Sequence, residues 1–410
     1  MALDSIIPMR GCILNERLAI LALKDHTGVG TACSPGSEFL MAWRSKIARH
    51  AGSSYFMGIT LGDWFSLLRE NRFAIAPSCL MRAATITMFS IPNSVTCWLE
   101  SARFQRQWEQ VNVAPPLFIL GHYRSGTTHL LNLLAMDQRF GFLNSYQASY
   151  PDSFLLTEQI GARLLELFLP RSRPFDNVRL SADAPYEDEI AMTNATRVSP
   201  YMTVVFPRRR DHYDRYLTFQ RASAEEISQW RTGLLKLLQK RSLKDGKPLI
   251  LKSPPHTCRI KLLLDLFPQA KFVHIHRHPY VVIQSTLHLI RVGLEWIRLQ
   301  DANSVDWTER ALNQWREMYD AYFAERCLIP AGNLHEMAFR DLERDPIGEL
   351  RRMYESLDLP SFAEVEPRIG EYLATISSYE KNEFGEVTPE LKERIVENCR
   401  RGFDEWDYDV

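Results

Sequence analysis

The sequence predicts an α/β protein: a three-layer sandwich on a central parallel sheet, preceded by a helical extension. Three observations predict it. Short apolar runs recur at 117–120, 248–252 and 270–277, and a helically spaced stretch follows each of them. Strands alternating with helices in this way make parallel sheets covered on both faces. Before Ala114-Pro115-Pro116 the chain instead reads mostly as helices, so residues 1–112 form the extension and 113–410 the α/β domain.

Within the extension, "LGDWFSLLRENRFAI" has helical spacing, with Asp63 as its expected cap. Ala83–Leu99 carries no charge but is only 17 residues long and is interrupted by Pro92. A membrane span needs about 20 apolar residues. The stretch therefore reads as a buried helix, with a membrane-surface or substrate-facing segment as the alternative. The opening residues lack a basic start followed by an apolar core, which argues against a secretory signal.

Composition limits the functional classes. Of the 410 residues, 45 % are hydrophobic and 24 % charged, as in globular proteins with a sizeable core. Lys plus Arg total 49 against 50 for Asp plus Glu, so no general attraction to nucleic acid or anionic lipid is expected, and any anion site must be local. The seven cysteines are scattered without a CxxC pair. They read as reduced thiols of a cytoplasmic protein, with neither a zinc site nor a disulfide framework.

The first strand, "LFIL", feeds "GHYRSGTTHL". A helix beginning after Gly126 points unpartnered N–H groups and the positive end of its dipole at this turn. Gly121 and Gly126 let the backbone bend tightly and approach an anion, Thr127 and Thr128 bring hydroxyls, and Arg124 brings a forked cation. The fold is thus of the P-loop type. The order differs from Gly-Lys-Ser/Thr, and no strand-ending magnesium carboxylate accompanies it, so the expected donor is metal-free. Ligands in such sheets lie beyond the strand carboxyl ends, which deliver Gly121–Thr128, Lys252–His256 and Arg277 to one edge.

Together, "GHYRSGTTHL", "LILKSPPHT", "FVHIHRHPYVVIQS" and "APYEDEI" resemble the PAPS-dependent sulfotransferases, in the bacterial-type branch with an Arg-Ser-Gly-Thr-Thr phosphosulfate loop. PAPS is phosphoadenosine phosphosulfate. The resemblance covers roughly residues 114 to 385. It implies that Arg124 and the Ser125, Gly126, Thr127 and Thr128 backbone hold the phosphosulfate, and that Arg277 and Ser285 bind the ribose phosphate. It implies further that Lys381 approaches that phosphate from a C-terminal loop, with Tyr379 or Phe384 over the adenine. Lys252, at a strand end, suits stabilisation of the departing phosphate; a solvated strand-end lysine is the plain alternative.

The base that takes the acceptor's proton has several candidates. His256 follows Lys252 by four residues, and a neutral imidazole suits proton abstraction near pH 7. Glu187, Asp188 and Glu189 compete, with Glu187 and Glu189 ahead, although acids after Pro185 also suit an ordinary first helical turn, and one of the three could instead orient His256 or hold the acceptor. The alternating His274, His276 and His278 read as core histidines, and Arg208–Arg210 as a solvated face. The expected reaction moves a sulfuryl group to a hydroxyl or amine of a small-molecule acceptor, carbohydrate or lipid-like. A divergent P-loop kinase and a non-catalytic nucleotide-binding scaffold are the rivals.

Overall fold

The structure is a computed structural model that describes residues 54–168, 180–303, 305–377, 385 and 387–410. The chain divides into two units, 1–44 and 45–410, and all described residues belong to the second. Lys381, Tyr379 and Phe384 lie outside the described residues.

Five strands, β1 (Leu117–Leu120), β2 (Gly141–Phe142), β3 (Leu249–Lys252), β4 (Lys271–His276) and β5 (Leu334–Ala338), form one sheet in the order β2-β3-β1-β4-β5. All pairings are parallel, with Phe118 beside Leu251 and Phe272. Side chains alternate across a strand. Phe118, Leu120, Leu251 and Phe272 accordingly join the core on one face, while Leu117, Ile119, Ile250, Val273 and Ile275 join the core on the other. Two separate cores on one sheet make the three layers. They also explain why β1 is apolar throughout and buried at every position.

The main helices are α1 (Leu61–Glu70), α2 (Leu80–Trp108), α3 (Thr127–Leu134), α4 (Phe154–Phe168), α5 (Asp188–Ala195), α6 (Ala224–Ser242), α7 (Ile260–Leu266), α8 (Pro279–Ile297), α9 (Trp307–Glu325) and α10 (Pro389–Glu405). Helix α1 is capped by Thr60, whose Oγ1 accepts from the Asp63 N–H at 3.2 Å. Asp63, the expected cap, sits one turn inside and accepts from the Thr60 hydroxyl at 2.7 Å, because a carboxylate there still faces the helix's unpartnered amides.

The larger departure concerns α2. It was expected to be buried, yet its inward face carries Arg82, Ser90, Asn93 and Glu100, while Met88, Ile91, Val95 and Trp98 point out. Each inward polar group has a partner. Arg82 donates to the Arg298 carbonyl, Asn93 donates to the carbonyls of Met57 and Ile59, and Glu100 meets Lys240 of α6 at 2.5 Å. Helical spacing reveals an apolar face without saying which way it turns.

Candidate active site

The loop from β1 to α3 is held by contacts that tolerate few side chains. At Gly121, φ is +148°, and a Cβ would lie 2.5 Å from the Ile275 carbonyl oxygen. At Gly126, φ is +105°, and a Cβ would lie 2.2 Å from the Phe339 ring. Arg124 occupies the left-handed region at φ +68°, unusual for a residue with a Cβ. The Thr257 hydroxyl accepts from the Gly121 N–H at 2.8 Å, and the Ser125 hydroxyl donates to the His122 carbonyl at 2.8 Å. Ser125 is therefore a loop brace, fully enclosed.

Gly126 is the N-cap of α3, and no side chain caps that end. The first amides of the helix thus keep their donors for an anion. Thr127 and Thr128 open the helix. The Arg124 Nε donates to the Ser285 hydroxyl at 2.9 Å, and Arg277 donates to the Arg124 carbonyl at 3.4 Å while lying 4.5 Å over the Phe339 ring. Arg124, Arg277 and Ser285, far apart in sequence, thus converge at the helix entrance. His122, beneath the loop, is kept neutral: burial pushes its pKa down to about 4 against a hydrogen bond to the Tyr123 carbonyl.

The acidic element lies across the end of β3. Glu187 is the N-cap of α5, and Asp188 and Glu189 form its first turn. Three consecutive acids meet three different bases of one segment. Glu187 Oε1 lies 2.5 Å from Lys252 Nζ, Asp188 Oδ2 lies 2.6 Å from His256 Nε2, and Glu189 grips Arg259 with two bonds of 2.8 and 3.3 Å. The Ser253 hydroxyl fastens the two segments by accepting the Glu189 N–H at 2.8 Å.

These pairs differ in access. The His256 and Asp188 side chains are 0 % and 1 % exposed, and those of Glu189 and Arg259 are both 0 %. His256 also packs edge-on against Phe118, with ring centroids 5.3 Å apart. Its imidazole is thus enclosed, as is the ion pair that Glu189 makes with Arg259. Glu187 differs, with 22 % of its side chain exposed. Burial raises the pKa of Asp188, but the charge and hydrogen bond of His256, with a bond from Ser253, outweigh it and hold the carboxyl below its ordinary value.

Lys252 also donates to the Thr128 hydroxyl at 3.2 Å, so one hydrogen-bonded row runs from α3 through Lys252 to Glu187. Beyond Glu187, the Tyr201 hydroxyl donates to its Oε2 at 2.5 Å, and Tyr55 and Tyr123 flank the Tyr201 ring at 5.7 and 6.0 Å. Asp188 stood among the acidic competitors for the base, and the part left open for one of those acids, orienting His256, falls to it here. Tyr55 lay beyond sequence reasoning, because a lone tyrosine carries no local signal. His274 and His276 are buried in a stack with Tyr322 and Trp406, and burial lowers the pKa of His276 to about 3. Arg209 donates to the Glu70 carbonyl at 2.6 Å, and Arg208 is about half exposed near Asp301.

Known proteins resemble this chain in sequence and in fold. A family model described as "Sulfotransferase family" matches residues 115–364. The omega-hydroxy-beta-dihydromenaquinone-9 sulfotransferase Stf3 of Mycobacterium bovis, and that of Mycobacterium tuberculosis, are 34 % identical over 374 residues, 91 % of this chain and 95 % of theirs. The sulfotransferase STF9 of Mycobacterium avium has the same fold, with a TM-score of 0.66 at 22 % identity over 94 % of this chain and 99 % of its own. STF1 of Mycobacterium tuberculosis follows with a TM-score of 0.58 at 17 % identity, over 88 % and 98 %. A family model spanning the loop from β1 to α3, the acidic element and all five strands, together with relatives a third identical along nearly the whole chain, makes this protein an enzyme of the sulfotransferase family.

Proposed function

We propose that the enzyme moves the sulfuryl group of PAPS to a hydroxyl of a lipid-like alcohol, with Glu187 as the base. The observation that carries this reading is the row Thr128–Lys252–Glu187, which joins the helix entrance to a half-open carboxylate. The donor's phosphosulfate fits the uncapped entrance of α3, where an anion satisfies the free amides and Arg124 adds a fixed cation. Arg277 and Ser285, beside Arg124, suit the ribose phosphate. PAPS supplies an activated sulfuryl group on a phosphate leaving group.

Glu187 takes the proton of the acceptor hydroxyl. As that oxygen bonds to sulfur, the bond from sulfur to the phosphate oxygen breaks, and the electron pair goes to the phosphate. Lys252, between the carboxylate and Thr128, neutralises the charge that gathers there. Glu187 then returns its proton to water. His256 has a different part from the one its sequence position suggested: through Asp188 it fixes the first turn of α5, and so the carboxylate of Glu187. The ring wall of Tyr55, Tyr123 and Tyr201 suits an apolar or aromatic acceptor. The curated relatives are named for an omega-hydroxylated menaquinone acceptor.

The test is transfer of radiolabelled sulfate from PAPS into a solvent-extractable lipid fraction, alongside calorimetry with phosphoadenosine phosphate in the presence of a chelator. Labelled lipid and metal-independent binding support the reading. Binding only with ATP and magnesium favours a kinase, and binding without turnover favours a scaffold.

A further inference from the structure

Helix α2 is amphipathic in the reverse sense. Arg82, Ser90, Asn93 and Glu100 face the protein and find partners there, whereas Met88, Ile91, Val95 and Trp98 recur at three- and four-residue intervals on the outer side, two turns after the exposed Met81, with Trp98 68 % exposed. Between Arg82 and Glu100, both turned inward, α2 carries no charge over about 25 Å of its length. Among the described residues, the large exposed apolar side chains are concentrated on α1, α2, α4 and the residues just after α1; only Leu328 and Val410 lie elsewhere. On α4 they are Leu156, Ile160 and Leu164, a row at intervals of four. Helix α4 meets α2 where the Leu156 N–H donates to Glu100 at 2.9 Å. Clustered exposed apolar side chains rimmed by charge mark interaction surfaces.

We propose that α2, with α1 and α4 beside it, is a docking surface for an anionic phospholipid bilayer, on which the helix lies in the plane of the headgroups. No helix among the described residues is long and apolar enough to cross a membrane, so α2 would lie on the bilayer and not through it. Trp98 suits the headgroup level. The charges around the patch complement an anionic surface: Arg69, Arg72, Arg103, Arg106 and Arg163 are exposed on these helices or directly after them, against Glu70, Glu109 and Glu166.

The same rim disfavours a second copy of the chain. Helix α1 runs back along α2, with the Leu61 N–H on Ser94 and the Trp64 indole on Thr87, which puts Arg69 and Arg72 toward the start of α2 while Arg103 and Arg106 lie near its end. In a two-fold antiparallel pair, those basic ends would face each other.

The surface is also coupled to the site. Asn93, on the inner side of α2, holds the carbonyls of Met57 and Ile59, and this segment leads directly to Tyr55 in the ring wall beside Glu187. A bilayer under α2 would therefore bring a lipid-resident alcohol within one layer of structure of the carboxylate. The purpose of the docking, though not the docking itself, rests on the acceptor class proposed above.

The test uses the full chain and extruded vesicles, either pure phosphatidylcholine or an equal mixture with phosphatidylglycerol, in a flotation assay without donor or acceptor. The protein should float with the mixed vesicles, and Met88→Glu with Val95→Glu should weaken partition at least tenfold while leaving the far-ultraviolet spectrum unchanged. Arg103→Gln with Arg106→Gln should reduce the preference for anionic vesicles. Sedimentation of the wild-type chain should give a monomer. The proposal is overturned by absence of flotation with mixed vesicles, by glutamate variants that float equally well, or by a dimer that these glutamates dissociate. Because flotation needs no turnover, a lost acceptor reading leaves the result standing. Conversely, turnover of a short water-soluble alcohol should be unchanged in the glutamate variants.

Discussion

Asp188 Oδ2 lies 2.6 Å from His256 Nε2, and both side chains are sealed from solvent. This pair encloses His256, the residue the sequence offered first as base, together with one of its acidic competitors. Glu187, one position before Asp188, keeps an open side while holding Lys252. Glu187→Gln should therefore leave binding of phosphoadenosine phosphate within about threefold and lower turnover by on the order of 100-fold or more, in line with the loss of a positioned acid–base group. His256→Gln should lower turnover less and move the unfolding midpoint. Isothermal titration beside a labelled-sulfate assay separates the two, and the reverse ranking would return the base to His256.

The same pair carries a pH dependence. The folded pKa of Asp188 is depressed below the carboxylate's ordinary value of about 3.9. Its contribution to stability is thus fully present above that value and is lost as pH falls through the lower folded value. Asp188→Asn should lower stability near pH 7 by on the order of 3 kcal/mol, as when one partner of a buried pair is removed. The difference from wild type should shrink below about pH 3.9 as the carboxyl protonates. Urea titrations at pH 7 and at the lowest pH where both proteins fold would measure it; a gap that stays constant would assign the effect to something other than ionisation.

Much of this was legible because it is local. Turn glycines, apolar runs and the order Arg-Ser-Gly-Thr-Thr reside in single stretches, and β1, β3, β4 and the loop follow from them, whereas the grouping of Arg277 and Ser285 came with the family resemblance, and β2 and β5 were not anticipated. The pairing of three acids with Lys252, His256 and Arg259 joins segments more than 60 positions apart, so it depends on how α5 docks and not on any spacing. Tyr55 reaches Glu187 through Tyr201 for the same reason. The inward turn of α2's polar residues was not legible, because Arg82, Asn93 and Glu100 find their partners on distant segments, although a surface-lying segment stood as the alternative.

Arg124 joins the loop to the ribose-phosphate side through its Nε on Ser285. Arg124→Ala should abolish measurable binding of phosphoadenosine phosphate. Arg124→Lys keeps a charge but loses the fork, so it should retain binding at a tenth or less of the wild-type affinity. Ser285→Ala should cost a few-fold to tenfold, the worth of about one hydrogen bond. Affinities that fall in this order would support the joint; an unaffected Arg124→Ala variant would remove the guanidinium from the donor site.

Gly126 tests whether the helix entrance must stay bare. A methyl group there meets two obstacles: backbone at φ +105°, and the Phe339 ring 2.2 Å from the new carbon. Gly126→Ala should therefore lower the melting temperature and weaken nucleotide binding by tenfold or more, because the amides that face the anion shift with the turn. Phe339→Leu relieves the ring contact but not the dihedral strain. In the Gly126→Ala background it should recover part of the melting temperature and little of the affinity, the more so because it removes the ring under Arg277. Full recovery of both would mean that crowding alone, and not the left-handed turn, keeps this position glycine. The bare entrance would then be a matter of packing, and the case for amides gripping the donor would fall with it.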